Sequence, residues 1–435
     1  TGVRALDATP YATISGVLGF QTYLTERSGH DFYGFIGLDP AGYVVWALNV
    51  SSTDYESTIG DLPSHAIAQF PEDNTYAVLC QGKKQLTRYD AAGVQIGDAW
   101  EPAYESSCSA LSHEVFIDTS TNRTQVLSLM HTVEAFDDTP TEFTLGQKLV
   151  KWDHMNNTMT DEFSIFDVMD PRTVVSWEDP FFPGELECTS DEGVYDTYEM
   201  SDFTHCNSAA TGSDGNYLVS SRATSTVLSI AKDHSGVQWT ISTDDIGIVS
   251  NFTFVDEGDK FYNQHFVRQL ANGNIVMIDN GNTRPSTRRN RDRALQDVMG
   301  VAPDGEAPYN PLAEESFEGV GDDSSSSFSR ACEYFLDFDA MTIELVWEFA
   351  PAGIFTVEGG SIDALSNGNR LVTFPFIIGD DGGYYSNVYE VDSLGASVAN
   401  MSVPWLGNSS LYDTPTRGLS VETLNGELAY NHSTY

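Results

Sequence analysis

Short apolar runs alternate with polar turns along the whole chain. The runs are rich in β-branched and aromatic residues, and Gly, Asn and Asp separate them. Patterns with the period of an α-helix are scarce. This alternation predicts an all-β fold.

One phrase of apolar and polar positions recurs. The run at 264–270 leads into the turn Asn-Gly-Asn at 272–274 and then into the apolar run 275–278. The run at 361–365 leads into a second Asn-Gly-Asn turn at 367–369 in the same way. Looser copies of the phrase cover residues 65–74, 113–122 and 205–216.

The second half of each repeat is a strand, an Asp/Gly turn and another strand that often ends in Trp. It is found at 38–46, 89–100, 232–239 and 338–347, whereas 391–395 lacks the Trp. Each repeat therefore contains about four strands, which is the size of one blade of a β-propeller.

We predict a six-bladed β-propeller with four-stranded blades that forms one domain over residues 1–435. The C-terminal tail, 406–435, is a candidate for a strand that closes the ring on blade one. Two long insertions, 165–203 and 284–328, interrupt the repeats and are expected to be functional or disordered. The predicted blades cover approximately 15–60, 61–105, 110–170, 200–245, 262–350 and 355–405.

Charge excludes one class of partner. The 435 residues include 64 acidic and 21 basic side chains, giving a net charge of −43 with His neutral. A nucleic acid would be repelled over most of such a surface. No run of about 18 apolar residues is found in the sequence, so no membrane span is expected. Thr1 is expected to be a processed end.

Sequons and cysteines favour a secreted or cell-surface protein. Five cysteines could form two disulfides and leave one buried thiol, Cys332 being the one outside the two shortest loops. Those loops would be closed by Cys80–Cys108 and Cys188–Cys206, although the sequence leaves the pairing open. Seven Asn-x-Ser/Thr sequons are candidate glycosylation sites: Asn49, Asn122, Asn156, Asn251, Asn400, Asn408 and Asn431.

Four of the nine histidines fall on one position of the repeat. His265 stands seven residues before the turn at 272, and the corresponding positions hold His65, His113 and, with two inserted residues, His205. Blade six has Gly360 there. Because the innermost strand of each blade lines the channel, these imidazoles should meet near the axis.

Such a ring of imidazoles is compatible with several chemistries. Neutral rings can bind a transition metal, protonated rings can bind an anion, and one positioned ring can act as a nucleophile or a general acid or base. Each His could instead only satisfy backbone groups at the entrance of its blade. No acidic residue lies at a fixed metal-ligand spacing, so no metal or other cofactor is predicted. Calcium bound by acidic loops is an open alternative, although no Asp-x-Asp-x-Asp-Gly motif indicates it.

Polar residues close to two of the histidines suggest an anion. Asn207 lies beside His205, Arg222 follows on the next strand, and Arg284 follows the strand after His265. A guanidinium suits the oxygens of sulfate or phosphate. Either arginine could instead pair with an Asp on a neighbouring loop.

At these residues the chain resembles the arylsulfotransferase family of six-bladed propellers. The resemblance rests on residues 202–207 followed by 218–222, on the segment from 264 to 281, and on 329–348. It implies transfer of a sulfuryl group from a sulfated phenol to another phenol, without a nucleotide donor, through a sulfo-histidine. By resemblance, His205 and His265 match pocket histidines and Arg284 matches the sulfate-binding arginine.

The sequence departs from the family in its last blade, where the resemblance implies a nucleophilic histidine. No His lies between His265 and His432, and the nearest equivalents are Gly360 and Thr373. Two hypotheses follow. The protein is a sulfotransferase that uses His265 or His205, with His65, His113, Arg222, Arg284 and Asn207 binding substrate. Alternatively, it is a non-catalytic extracellular propeller that binds sulfated ligands or other extracellular protein chains.

Overall fold

The structure is a computed structural model of the chain. The residues that it describes are 17–25, 31–38, 44–49, 65–70, 73, 75–80, 85–90, 92–101, 111–118, 125–135, 143–171, 189–190, 193–194, 200–233, 235–243, 248–284, 328–365, 367–378, 384–404, 418–424 and 427–429.

The strands of the first half of the chain follow the predicted alternation. They are β1 (Val17–Thr25), β2 (Asp31–Leu38), β3 (Val44–Asn49), β4 (His65–Phe70), β5 (Thr75–Cys80), β6 (Gln85–Tyr89), β7 (Gln95–Trp100), β8 (Leu111–Asp118), β9 (Gln125–Ala135), β10 (Phe143–Asp153), β11 (Thr158–Ser164), β12 (Thr189–Ser190), β13 (Gly193–Val194) and β14 (Met200–Asp202).

The second half continues in the same way. Its strands are β15 (Cys206–Thr211), β16 (Tyr217–Ser221), β17 (Thr226–Ile230), β18 (Val237–Ser242), β19 (Thr253–Phe254), β20 (His265–Gln269), β21 (Ile275–Asp279), β22 (Arg330–Asp337), β23 (Thr342–Phe349), β24 (Ser361–Ala364), β25 (Arg370–Ile378), β26 (Tyr384–Val391), β27 (Ser397–Pro404), β28 (Gly418–Leu424) and β29 (Glu427–Ala429). Two short 3-10 helices, Ile165–Asp167 and Glu257–Asp259, are the helices among the described residues.

These strands form the mostly antiparallel sheets of a β-propeller, as the sequence predicts. Within the described residues, six sheets contain four or more strands, and a two-stranded sheet joins β12 to β13. The six sheets hold β1–β3 with β28 and β29, β4–β7, β8–β11, β15–β18, β19–β23 and β24–β27, which we call blades one to six. The number of blades detected in the propeller arrangement is five, one fewer than predicted. The names one to six refer to the six sheets.

Apolar packing joins successive blades. Each blade is a sheet with two apolar faces, so each face is buried only by a neighbouring blade. Leu149 of blade three packs with Leu228 of blade four. Trp239 of blade four packs with Met277 of blade five, and Ile278 of blade five shares a cluster with Phe374 of blade six. The core is therefore a series of layers between the blades.

The C-terminal tail supplies a strand to blade one. β28 pairs antiparallel with β1, and Val17 lies opposite Val421 in the register. β28 also lies beside β24 and β25 of blade six. The sheet of blade one thus combines the first and last described strands of the chain. Because β28 pairs with β1 and lies beside blade six, it closes the ring of blades.

The two insertions lie mostly outside the described residues. Of 165–203, the structure describes 165–171, the strands β12 and β13, and 200–203, where β14 pairs parallel with β10. Of 284–328, it describes only Arg284 and Phe328. The described part of the chain includes no helix that is both long and apolar enough to cross a membrane.

Removal of the closing strand should destabilise the whole propeller. We expect deletion of 405–435 to lower the thermal unfolding midpoint by about 5 °C or more, because β1 would lose β28, one of its two antiparallel partners, and keep an open edge. Circular dichroism melts measure the change. Deletion of 430–435, which leaves β28 and β29 intact, is the control; equal midpoints for the two deletions would contradict the closing role.

Candidate functional site

The histidines sit where the inner strands of the blades begin. His113 in β8 and His205, just before β15, both have backbone φ angles in the left-handed region, 57° and 43°. The ladder register of each strand also shifts at this point. In blade five the shift follows His265, and the neighbouring Phe266 has a φ of 56°. Bulges and strained backbone of this kind re-aim side chains and occur often at functional sites.

His113 and His205 contact each other directly. Their Nε2 atoms are 3.2 Å apart, and their ring centroids are 5.0 Å apart. A hydrogen bond between two Nε2 atoms requires one to carry a proton and the other to accept it. The two rings therefore act as a pair in which one proton is shared, and blades three and four meet at this pair.

His205 is held from both sides. The Oε1 atom of Gln147 in β10 accepts hydrogen bonds from Thr204 Oγ1 at 2.6 Å and from the backbone N–H of Cys206 at 2.8 Å. The backbone N–H of Arg222 donates to the carbonyl of His205 at 3.3 Å. Blade three and the second strand of blade four thus fix the strained residue.

His265 is oriented by Asn280, which follows β21. The ring Nδ1 of His265 lies 2.7 Å from Asn280 Oδ1. Asn280 Nδ2 donates to the carbonyls of Thr356 and Gly359, at 3.1 and 3.2 Å. Only an NH₂ group can donate to two carbonyls, so the other amide atom is an oxygen that accepts. His265 Nδ1 must then carry the proton, and Nε2 keeps its lone pair.

Burial and neighbouring cations keep His265 uncharged. Its pKa lies well below the ordinary value, first because burial penalises the imidazolium, then because the positive charge of Arg222 opposes it. The His205 and His113 rings add smaller effects in the same direction, and the hydrogen bond to Asn280 acts in the opposite direction. These interactions place three histidines and Arg222 in one electrostatic neighbourhood.

The two arginines that the sequence singled out lie in different surroundings. Arg222 is fully buried, and its Nη2 donates to the carbonyl of Val357 at 3.2 Å, so it links blade four to the segment before blade six. Arg284 forms an ion pair with Asp279, Nη2 to Oδ2 at 2.8 Å, and its guanidinium lies 4.2 Å from the ring centre of Phe328. Of the two, Arg222 is the one whose charge acts on His265.

The other two predicted substrate-binding residues are Asn207 and His65. Asn207 is buried, and its Nδ2 donates to the carbonyl of Gln264 at 2.7 Å, which ties blade four to the residue before His265. The backbone of His65 begins β4, opposite Cys80 in the register. The side chain of His65 lies outside the described residues.

A buried carboxylate that sequence reasoning missed connects the histidine-bearing strands. Glu114 Oε2 accepts hydrogen bonds from Arg268 Nη2 at 2.9 Å and from the N–H of Ala209 at 3.2 Å. Both charged side chains are almost completely buried. Because Glu114 follows His113, Ala209 lies in β15 and Arg268 lies in β20, one carboxylate joins blades three, four and five. The only signal in the sequence was the position of Glu114 beside a repeated His.

Blade six has no side chain at the repeat position. Gly360 directly precedes β24 and has a φ of 106°. A Cβ atom there would lie 2.9 Å from the carbonyl of Thr373 and 3.0 Å from a side-chain atom of Ile278. The repeat position of blade six is therefore crowded by the next strand of its own blade and by a side chain of blade five, and its positive φ also favours glycine. Thr373 itself is fully buried in β25.

The predicted disulfides are not found among the described residues. Cys206 carries a thiol and is 1% exposed in the apolar layer between blades three and four, where it packs as a small apolar side chain. Its predicted partner Cys188, and Cys108 with the side chain of Cys80, lie outside the described residues. Cys332 is a buried thiol whose pKa burial raises to about 12, which disfavours the reactive thiolate.

Three of the seven sequons can be located. Asn156, Asn251 and Asn400 are all exposed. The side chains of Asn49, Asn122, Asn408 and Asn431 lie outside the described residues. No group of three or more His, Cys, Asp or Glu side chains able to hold a metal ion is found in the described part of the chain.

Solved structures similar to this chain align over most of its length but are distant in sequence. A protein of unknown function from Bacteroides caccae is 10% identical, with a TM-score of 0.45, over 94% of this chain and 100% of its own. A protein from Lactobacillus plantarum is 9% identical, with a TM-score of 0.42, over 96% and 95%. A catalytically inactive virginiamycin B lyase from Staphylococcus aureus, bound to quinupristin, is 6% identical, with a TM-score of 0.39, over 92% and 87%.

No curated protein matches the chain. The profile of the family described as Arylsulfotransferase (ASST) matches residues 18–404, from β1 of blade one to the last residue of β27 in blade six. Because this match covers most of the chain, the protein belongs to the arylsulfotransferase family.

Proposed function

We propose that the protein is an extracellular arylsulfotransferase that moves a sulfuryl group from an aryl sulfate to a phenol through His265, without a nucleotide donor. One observation carries the choice of His265. Asn280 fixes the proton on Nδ1, which leaves the lone pair on Nε2 available for attack on sulfur. His113 and His205 contact each other through Nε2, so neither offers an equivalent lone pair without first breaking that contact.

In the first step, His265 Nε2 attacks the sulfur of the aryl sulfate. The bond between sulfur and the aryl oxygen breaks, and the phenolate leaves with the electron pair. When the His113–His205 pair holds an extra proton, it gives that proton to the phenolate and becomes neutral. The sulfuryl oxygens stay anionic, and the charge of Arg222, which acts on His265, stabilises them electrostatically.

The second step regenerates the histidine. Sulfated His265 is an imidazolium whose Nδ1–H donates to Asn280 Oδ1. A neutral amide cannot take that proton, so the ring stays cationic and remains a good leaving group. The hydroxyl of the acceptor phenol attacks sulfur and gives its proton to the neutral His113–His205 pair. The N–S bond then breaks, and its electron pair returns to Nε2.

Gly360 supports a second candidate function. Blade six offers no imidazole at the position where the family resemblance implies the nucleophile, and the close backbone contacts leave no room for one. A chain that binds sulfated ligands with His113, His205, His265 and Arg222 but does not turn them over would fit this arrangement. Tight binding of an aryl sulfate without release of phenol would favour that function.

The extracellular location is part of the proposal. It is supported by the exposure of the three sequons that can be located and by the net charge of −43, which suits a soluble protein in salty surroundings. Glycosylation at Asn156 is compatible with its contact, because a substituted Nδ2 keeps one hydrogen for the bond to Asp153 Oδ2 at 2.8 Å.

Replacement of the proposed nucleophile should abolish sulfuryl transfer. We expect His265→Ala to lower turnover of a chromogenic aryl sulfate, with a phenol acceptor, by at least about 10³-fold, because His113 and His205 contact each other through Nε2. His154→Ala is the control, since His154 packs between Phe70 and Trp152 and away from the channel histidines. Full activity in His265→Ala would refute the choice of His265 as the nucleophile, and full activity in the double variant His265→Ala, His205→Ala would also exclude His205.

The pH dependence should reflect the lowered pKa of His265. Attack requires an uncharged Nε2, and a pKa well below 6.5 keeps the ring uncharged as the pH falls through 6.5. We expect kcat/KM for an aryl sulfate with a good leaving group to stay constant from about pH 8 to about pH 6, measured in constant-ionic-strength buffers. A decline centred near pH 6.5 would indicate an unperturbed histidine and contradict the environment described for His265.

The same shift makes a separate contribution to stability. Below about pH 6.5 the unfolded chain binds a proton at His265 that the folded chain does not, so the free energy of unfolding decreases as the pH falls. We expect His265→Asn to weaken this dependence between about pH 6.5 and pH 5, measured by urea unfolding. His154→Asn serves as the matched variant, and identical slopes for the two variants and the unmodified chain would rule out the contribution.

A further inference from the structure

Blade six touches the histidine cluster with its backbone. Gly360 occupies the repeat position that holds His113 in blade three, His205 in blade four and His265 in blade five. The segment that leads to Gly360 supplies three carbonyl groups to neighbouring blades: those of Thr356 and Gly359 accept from Asn280, and that of Val357 accepts from Arg222. Blade six thus supplies acceptors where the other blades supply imidazoles.

The approach that permits these bonds depends on the missing side chain. The ideal Cβ position of Gly360 lies 3.0 and 3.1 Å from Cγ1 and Cγ2 of Ile278, and 2.9 Å from the carbonyl oxygen of Thr373. The Cα of Ile278 is the register partner of His265. A Cβ at residue 360 would crowd both the Thr373 carbonyl within blade six and the Ile278 side chain of blade five, so we expect the start of blade six to shift away from the strand that faces His265.

Asn280 is the link between the two blades. It is fully buried, so both hydrogens of its amide need acceptors, and the two carbonyls before Gly360 provide them. With its NH₂ group engaged, its oxygen can only accept, and it accepts from His265. Neutral imidazole in solution prefers the proton on Nε2, so this contact selects the less populated tautomer.

We propose that Gly360 and Asn280 are positioning residues: the glycine lets the backbone of blade six reach Asn280, and Asn280 holds the proton of His265 on Nδ1 so that Nε2 stays unprotonated. The tautomer follows from the contacts alone. Its importance for turnover rests on the proposed function, in which Nε2 attacks sulfur.

The tautomer can be measured without an activity assay. In protein labelled with ¹⁵N in the imidazole rings, the two ring nitrogens of His265 have distinct chemical shifts and couplings that report which one carries the proton; the signals are assigned by their loss in His265→Asn. We expect the unmodified chain to show Nδ1–H. Asn280→Ala should change His265 to a mixture dominated by Nε2–H, and Gly360→Ala should do the same while leaving Asn280 in place.

The chain contains a matched control for Gly360→Ala. Gly368 lies in the turn before β25 of the same blade, has a φ of 85°, and has no atom within 4 Å of its ideal Cβ position. Gly368→Ala therefore introduces the same unfavourable backbone conformation without moving blade six. We expect it to retain the Nδ1–H signal of His265 and its turnover.

The two parts of the proposal have separate outcomes. Retention of Nδ1–H in Gly360→Ala or in Asn280→Ala would overturn the positioning role. If the tautomer changes and turnover falls by roughly 10²-fold or more, both the positioning role and the proposed function are supported. If the tautomer changes in a chain that never turns over aryl sulfates, the positioning role stands and the proposed function fails. Should Gly360→Ala not fold, the ring-nitrogen signals of His265 in Asn280→Ala decide whether the contact from Asn280 holds the proton on Nδ1.

Discussion

The need to cover two apolar faces on every sheet determines this structure. A blade of four short strands cannot bury Leu149 or Met277 within its own sheet, so each face requires a neighbouring blade. Successive blades must then stand face to face, and their first strands converge. β8 packs beside β15, and β15 packs beside β20. The meeting of His113 and His205, which are 92 residues apart, follows from this packing.

Apolar packing alone would allow the inner strands of neighbouring blades to slide past one another along the channel axis. Buried polar groups fix their relative positions. The carboxylate of Glu114 in β8 forms an ion pair with Arg268 in β20 and accepts a hydrogen bond from the backbone N–H of Ala209 in β15. One carboxylate therefore connects the inner strands of blades three, four and five. A buried carboxylate is costly unless its oxygens are satisfied, and here Oε1 accepts from Val115 as well. The ion pair therefore fixes the position of one blade relative to the next, because displacement of either strand would leave a buried charge without its partner.

Some of this could be predicted from the sequence. The Asn-Gly-Asn turns at 272 and 367 and the recurring Trp gave the propeller, and the offset of His113, His205 and His265 from the turns gave their convergence. Those features are local patterns repeated at a period, which a single sequence displays. The sheet of blade one extends beyond the predicted range 15–60, because it also takes β28 and β29 from the C-terminal tail.

Other features depend on contacts between distant segments and carry no local signal. Asn280 acquires its role from a carbonyl 76 residues later, and Glu114 from an arginine 154 residues later. The family resemblance implies that Arg284 binds sulfate, and in the structure its guanidinium forms an ion pair with Asp279. At Gly360 the repeats show only that a histidine side chain is absent. They carry no signal for the backbone carbonyls that blade six supplies there.

The choice of an amide beside His265 separates this site from one built for proton relay. A carboxylate at residue 280 would raise the pKa of the imidazole by opposite charge and could take its Nδ1 proton. It could not donate to the carbonyls of Thr356 and Gly359, which would then face a negative group in a buried place. A neutral amide orients the ring; in the proposed mechanism it would also leave the ring uncharged before attack and the sulfated ring cationic afterwards. An imidazole held in this way gains little as a base and is best suited to accept a group at Nε2 and release it again, which is the chemistry that transfer between two phenols requires.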